Sequence, residues 1–301
     1  MKNKIKNTIY LFFILSILIT IGYTDIIEEI EKNFESNKIE YKKITQEESF
    51  EIQFIDVGQA ESILIENNHK YILIDAGNNK DGEKLSSYFK NLGINSFEYV
   101  VATHAHEDHI GGMDHIIRDF DIKNFFMPKT KVDNITYQEV IQELEKKHIK
   151  LETPTINQNF QVENTQFKVL SIRDDSIDLN NTSIVLKTTY FNNSFLFMSD
   201  ATSEIERSIL EEDIKSDVLK VSHHGSKYSS IANFLYKVKP KYAIIQVGKN
   251  NDYDLPKKVV LDKLEKINAK IYRTDLDGTI ILKSDGTNIT IETKQTDTNQ
   301  E

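Results

Sequence analysis

Short apolar runs broken by glycine, asparagine and charged residues set the pattern from residue 50 onward. FEIQFIDV, ESILIE and YILIDA predict three strands in quick succession, each rich in isoleucine, valine or aromatic residues. A mixed polar and apolar stretch over 82–91 predicts a helix, and EYVVAT predicts the strand after it. Further strands are expected at 124–127 and in QFKVLSI, TSIVLKTTY and SFLFMS, with a helix over 136–148. A second alternating series follows: helix 203–212, strand DVLKVS, helix 230–238, strand YAIIQV and helix 256–267. KIYRT and GTIILKS are expected to close the domain as a pair of strands. Two blocks of strands, each accompanied by helices, predict an α/β fold in which two sheets pack face to face with helices outside, a four-layer αββα sandwich.

The N-terminus has a different pattern. MKNKIKN brings Lys2, Lys4 and Lys6 directly before an apolar run over residues 9–23, which is the arrangement of an export signal. The run is nearer a signal-peptide core than the ~20 residues that span a bilayer, yet no small-x-small cleavage site follows Gly22. Residues 1–24 are therefore read as a signal peptide or an N-terminal membrane anchor, and both place the domain outside the cytoplasm, secreted or held at the membrane. Residues 25–48 are charged and poorly patterned and read as a spacer. The folded domain is expected over 49–292, with 293–301 a polar, disordered tail.

Composition narrows the chemistry. The chain has no cysteine, which excludes disulfides, thiolate metal sites and a cysteine nucleophile. Its formal net charge is -10, so the overall field repels polyanions. A nucleic-acid substrate then requires metal ions or a local cluster of lysine or arginine at the site. The pairs Lys42 with Lys43, Lys146 with Lys147 and Lys257 with Lys258 are dispersed and read as solvated faces.

The chemistry concentrates in THAHEDHIGG, where His104, His106, Asp108 and His109 leave the end of a buried strand within one short loop. In an extended segment His104 and His106 project to the same side and reach one metal, while the following turn carries Asp108 and His109 to a second. Imidazole with carboxylate suits zinc first, with manganese or iron also compatible. Gly111 and Gly112 are expected to let the backbone approach the ions closely. His69, His115 and His148 stand in polar or helical contexts and carry no site role.

HAHEDH matches the HxHxDH signature of the metallo-β-lactamase superfamily, and the resemblance extends from Phe50 to Ile291. FIDVGQAESILI, LIDAG, NNTSIVL, FMSDA, DVLKVSHHGSKYSS and VGKNNDY resemble the lactamase-like domain of bacterial competence DNA-uptake channel proteins and of related free-standing secreted hydrolases. The resemblance implies that Asp200 bridges two metals and that Asp75 holds the histidine loop without touching metal. One of His223 and His224 is implied to complete the second metal's shell. His223 is preferred, with His224 orienting water or stabilising charge as a catalytic group beside Asp108. Gly225, Ser226 and Lys227 are candidates for a backbone nest around a phosphate.

Two departures bear on substrate. Many members carry a further metal-binding histidine where this chain has Asn180 and Asn181, an absence shared with the competence-type subgroup, which argues against β-lactam hydrolysis. The subgroup's Tyr-Gly-His-Pro is here Tyr253, Asp254, Leu255 and Pro256, so a site-facing histidine is missing. The reading is an extracytoplasmic hydrolase with two divalent metal ions and a metal-bridging hydroxide, acting as a phosphodiesterase with single-stranded DNA or RNA favoured by the resemblance. Hydrolysis of a small or wall-linked ester such as phosphorylcholine is the alternative, and a degenerate, non-catalytic binding protein is the alternative of another class. The sequence names no protein partner.

Overall fold

In a computed structural model, residues 50–174 and 176–295 are described. The expected export segment 1–24 and spacer 25–48 lie outside them. Among the described residues no helix is long and apolar enough to cross a membrane.

Strands β1 (Phe50–Phe54), β2 (Ile63–Asn67) and β3 (Lys70–Ile74) form an antiparallel meander. Helix α1 (Gly82–Asn91) and a short β4 (Ser96–Phe97) lead to β5 (Tyr99–Val101), which lies parallel to β3. Helices α2 (Glu107–Ile110) and α3 (Met113–Asp119), the short β6 (Asp121–Ile122), β7 (Phe125–Phe126), helix α4 (Ile135–Lys146) and β8 (Leu151–Glu152) follow. Strands β9 (Asn159–Val162), β10 (Thr165–Ser171), β11 (Val185–Tyr190) and β12 (Asn193–Phe197) are antiparallel. Alternating with them in chain order come α5 (Ser203–Ser208), β13 (Val218–Lys220), α6 (Ala232–Val238), β14 (Tyr242–Ile245), α7 (Lys258–Lys266) and β15 (Lys270–Arg273), whose strands are parallel. A short helix α8 (Thr274–Asp277), β16 (Thr279–Ser284) and β17 (Ile289–Lys294) end the domain.

Among the described residues these strands form an 8-stranded sheet in the order β17-β16-β1-β2-β3-β5-β7-β8, a 7-stranded sheet in the order β15-β14-β13-β12-β11-β10-β9 and a small parallel pair of β4 with β6. Side-chain alternation assigns each strand's apolar residues to two layers. Ile63, Ile65, Ile72, Ile74 and Val101 of the first sheet meet Phe167, Leu186, Phe195, Phe197 and Ile244 of the second in one core. The intervening Leu64, Leu73 and Val100 pack outward on α1, α3 and α4, while Leu196, Leu219 and Ile245 pack outward on α5, α6 and α7. The αββα sandwich expected from the sequence is therefore the observed architecture. The central strands read as continuous apolar runs because helices cover one face and the other sheet covers the second.

The closing strands depart from expectation. KIYRT and GTIILKS do not pair: β15 ends the second sheet, whereas β16 crosses to the first and pairs with β1, Leu282 facing Ile52. Ile280 and Leu282 thereby enter the inter-sheet core, which a local pattern of alternation does not specify. β17 then pairs with β16, Ile280 facing Thr293 and Thr279 facing Lys294, so Thr293 and Lys294 belong to an edge strand and not to the tail. β8 and β9 were also not expected; both are short and carry few fully buried side chains.

Candidate metal centre

Five strand ends meet along one edge of the sandwich. Asp75 follows β3, His104 follows β5, Asp200 follows β12, His223 and His224 follow β13, and Gln246 follows β14. At the carboxyl ends of such strands the chain leaves the ladder, and its side chains are free to converge. Four non-glycine residues there hold left-handed backbone: Asp75 at φ 58°, Ser199 at 48°, His223 at 50° and His224 at 52°. Each such conformation costs about 1–3 kcal/mol and persists where surrounding contacts impose it.

The convergence forms three groups of ligand-type atoms, each with all members within 4.8 Å of one another. Two share Asp200: Asp108, His109, Asp200 and His224 in one, His104, His106 and Asp200 in the other; the third is Glu61, Asp75 and His109. His109 Nε2 lies 3.4 Å from Asp200 Oδ2, and His224 Nε2 lies 3.3 Å from Asp108 Oδ2 and 3.6 Å from Asp200 Oδ1. In the second group His104 Nε2 and His106 Nδ1 are 3.0 Å apart.

The outer nitrogens of the buried rings are already engaged. His109 Nδ1 meets Asp75 Oδ2 at 2.6 Å, and His224 Nδ1 donates to the Gln246 carbonyl at 2.8 Å. Asp75 is itself held, accepting from Thr103 N at 2.8 Å and Thr103 Oγ1 at 2.7 Å. His109 Nε2, His224 Nε2 and Asp200 Oδ1 point into the shared space, buried and without a hydrogen-bond partner. Orphaned buried groups cost about 1–3 kcal/mol each. A divalent cation satisfies all of them together, so the residues present fit a metal.

The electrostatics favour positive charge in that space. Burial pulls the His109 ring down, but Asp200, Asp75 and Asp108 outweigh it and hold the ring well above its usual range. Burial likewise opposes charge on Asp200, but His224, His109 and His223 outweigh it and hold the carboxyl well below its usual range. Burial pushes Asp75 up to about 6 against the lowering effect of His109. His104, buried and beside His109, is held well below its usual range and presents a neutral ring.

The residues expected from sequence fall into place unevenly. His104, His106, Asp108, His109 and Asp200 are brought together, and Asp75 lies behind them on His109. Of the His223–His224 pair, it is His224 that enters the four-residue group. His223 Nε2 stands 3.7 Å from Asp200 Oδ2, with its side chain 24% exposed and its Nδ1 buried without a partner. Gly111 and Gly112 pack on backbone and do not line the ligand space: a Cβ on Gly111 would lie 2.1 Å from Asn79 N, and one on Gly112 would lie 2.4 Å from Ala76 O. Their service is to seat the loop against residues 76–79. Of the nest expected at Gly225, Ser226 and Lys227, the Ser226 N–H is already taken, donating to His223 O. Asn181 is engaged with Thr202 and Glu204 of the α5 region. His69 pairs with Glu66 and His115 with Arg118, away from the cluster.

Several residues that support the site were not singled out from sequence. Gln246 fixes the His224 ring, and its side-chain Nε2 also donates to Ile55 O and Ser62 O. Thr103 Oγ1 and Ser199 Oγ, 2.6 Å apart, flank His104 Nδ1. Lys220 and Glu61 form a fully buried ion pair. A signal was present for two of these: Lys220 and Gln246 each interrupt an otherwise apolar strand, where an unpaired polar side chain is costly.

Residues 55–249 match the family model described as the Metallo-beta-lactamase superfamily. The chain is 32% identical over 251 residues to ComE operon protein 3 of Bacillus subtilis, covering 76% of this chain and 32% of that protein. It is 26% identical over 238 residues to Recombination protein 2 of Haemophilus influenzae, covering 77% of this chain and 28% of that protein. The chain thus spans about a third or less of the length of these relatives. Among solved structures, the metallo-beta-lactamase fold protein YhfI from Bacillus subtilis superposes with a TM-score of 0.56 at 12% identity, covering 78% of this chain and 100% of that one.

Proposed function

Since the chain belongs to the metallo-β-lactamase superfamily, we propose that it is a two-metal hydrolase of phosphodiesters, nuclease-like, working outside the cytoplasm. One observation carries the reading: two groups of ligand atoms share Asp200, and the buried His109 Nε2, His224 Nε2 and Asp200 Oδ1 make no hydrogen bond. In this assignment His104, His106 and Asp200 would hold one ion, and Asp108, His109, His224 and Asp200 would hold the other. The donor set of imidazole and carboxylate suits zinc, with manganese also compatible. Bound there, such ions would lower the pKa of a shared water toward neutrality and neutralise charge on a phosphoryl oxygen.

The chain's own groups supply orientation and proton handling. Asp108 is the more exposed of the two carboxylates, 30% against 3% for Asp200, and in this reading would orient the attacking water and take its proton. His223, partly exposed beside Asp200, would donate to an oxygen of the substrate. Gln246 and Asp75 keep His224 and His109 from rotating out of the site. The choice of a phosphodiester is supported by the similarity to Recombination protein 2. The extracytoplasmic location rests on the pattern of residues 1–24.

The test is metal stoichiometry measured together with hydrolysis of bis-p-nitrophenyl phosphate, comparing the protein with its His106→Ala and Asp200→Asn variants. Two metals per chain, with turnover lost in both variants, is the expected result. Bound metal without phosphodiester cleavage would move the substrate to another ester such as phosphorylcholine, and failure to take up metal would leave a binding protein.

A further inference from the structure

A cavity of about 810 Å³ lies beside the metal centre, between the loop joining β1 to β2, the start of α1, the loop after β14 and the α8–β16 segment. No residue of the two ligand groups lines it. Lys80, Lys84, Lys249 and Lys294 do, and they come from three separate parts of the fold: the start of α1, the loop after β14 and the end of β17. None of the four forms an ion pair with a described residue, whereas many lysines elsewhere on the domain are paired with a carboxylate. The carboxylates of the same lining are engaged. Asp275 is held by Arg273 through contacts of 2.9 and 2.5 Å, and Asp81 Oδ2 accepts from Asn78 N and Nδ2 at 2.9 Å. Asp56 Oδ1 accepts from Gly58 N at 3.1 Å. Four lysines thus face three carboxylates, one of them neutralised by Arg273, which leaves a local excess of positive charge in a chain of formal net charge -10.

The wall between the lysines is of a different kind. Ile55, Val57, Leu85 and the partly exposed Tyr88 supply apolar and aromatic surface. Lysines act as point charges for phosphates, and an aromatic ring with aliphatic neighbours accepts a sugar or base face without reading its sequence. The volume falls within the ~300–1,000 Å³ typical of organic-ligand sites.

The cavity is tied to the metal centre at two points. Gln59 in its wall is two residues from Glu61, whose backbone N–H donates to Asp108 O at 3.0 Å, and Gln59 Oε1 accepts from Gly248 N at 3.1 Å. Gly248, also in the wall, is two residues from Gln246, which holds His224. We propose that this cavity binds the phosphate and sugar units of a single-stranded nucleic acid that flank the phosphodiester presented at the metal centre. The proposal rests on the phosphodiesterase reading for the flanking relationship; the cavity's preference for nucleotide phosphates stands on its own lysines.

The experiment is fluorescence anisotropy with an end-labelled single-stranded oligonucleotide, using the full chain in excess EDTA so that no hydrolysis intervenes. The variants are Lys80→Gln/Lys84→Gln and Lys249→Gln/Lys294→Gln. Lys237→Gln/Lys266→Gln, on the solvent side of α6 and α7, is the control. Each cavity variant is expected to lose about tenfold in affinity and to flatten the slope of log K against log salt by about 1–2, with the control unchanged. Restoration by Lys80→Arg/Lys84→Arg would support the role of charge. Equal binding by wild type and cavity variants, or no binding by the wild type, would overturn the proposal. Displacement by a mononucleotide at the same total nucleotide concentration would overturn the strand in favour of a free nucleotide. Lysine-dependent binding by a protein that does not turn over bis-p-nitrophenyl phosphate would keep the cavity's role and sink the catalytic reading instead.

Discussion

Lys220 Nζ lies 2.6 Å from Glu61 Oε2 with both side chains fully buried, and it also donates to Val221 O at 3.1 Å. The pair joins β13 of one sheet to the loop between β1 and β2 of the other, and Glu61 N in turn donates to Asp108 O. Removing one partner of a buried pair leaves the other charge stranded, which costs about 3–5 kcal/mol. Lys220→Met is therefore expected to lower stability by that amount in urea denaturation. Adding Glu61→Leu should recover much of the loss; a double variant no better than the single would contradict the pairing.

Asp75 accepts three hydrogen bonds, from Thr103 N, Thr103 Oγ1 and His109. Asp75→Asn keeps the shape but removes the charge that orients His109. Metal affinity is expected to fall about 10–100-fold, measured by competition with a chromophoric chelator. An unchanged affinity would mean that His109 needs no orienting partner.

His223 and His224 are adjacent in sequence but differ in placement, and their alanine variants separate the two roles. His224→Ala is expected to lose about one equivalent of metal. His223→Ala should retain its metal and lose turnover by about 100-fold. Metal analysis beside a single-substrate rate distinguishes them, and the reverse pattern would exchange the assignments.

Glu206 on α5 accepts from Ser230 N at 2.5 Å and Ile231 N at 2.8 Å, bracing the segment that follows the histidine pair. Burial pushes its carboxyl from an ordinary 4.5 up to about 7, against the lowering effect of those two amides. The folded protein thus holds more protons than the unfolded chain between these values. This group's stabilising contribution is fully present below about 4.5 and is lost as pH rises through about 7. The shift corresponds to roughly 3 kcal/mol. Stability followed by denaturant midpoint should fall with rising pH across that window, and Glu206→Gln should flatten the fall.

Much of the site was legible because its ligands are local. His104, His106, Asp108 and His109 leave a single strand within one turn, and Asp200 ends an apolar run, so residue type and spacing alone mark them. The layers were legible for the same reason: continuous apolar strands imply cover on both faces, and helical patterns between them supply the cover.

The remaining features depend on contacts distant in sequence. GTIILKS alternates equally well beside KIYRT or beside β1, and only the gain of burying Ile280 and Leu282 between the sheets selects β1. Lys80, Lys84, Lys249 and Lys294 look dispersed along the chain and become one basic wall when α1, the β14 loop and β17 meet. His223 and His224 offer identical rings, and the carbonyl of Gln246, 22 residues away, decides which one turns inward. The sequence by itself determined the ligand types and the periodicities that form the sheets. Tertiary packing decided pairing, ring orientation and local charge, because each depends on burying groups supplied by distant segments.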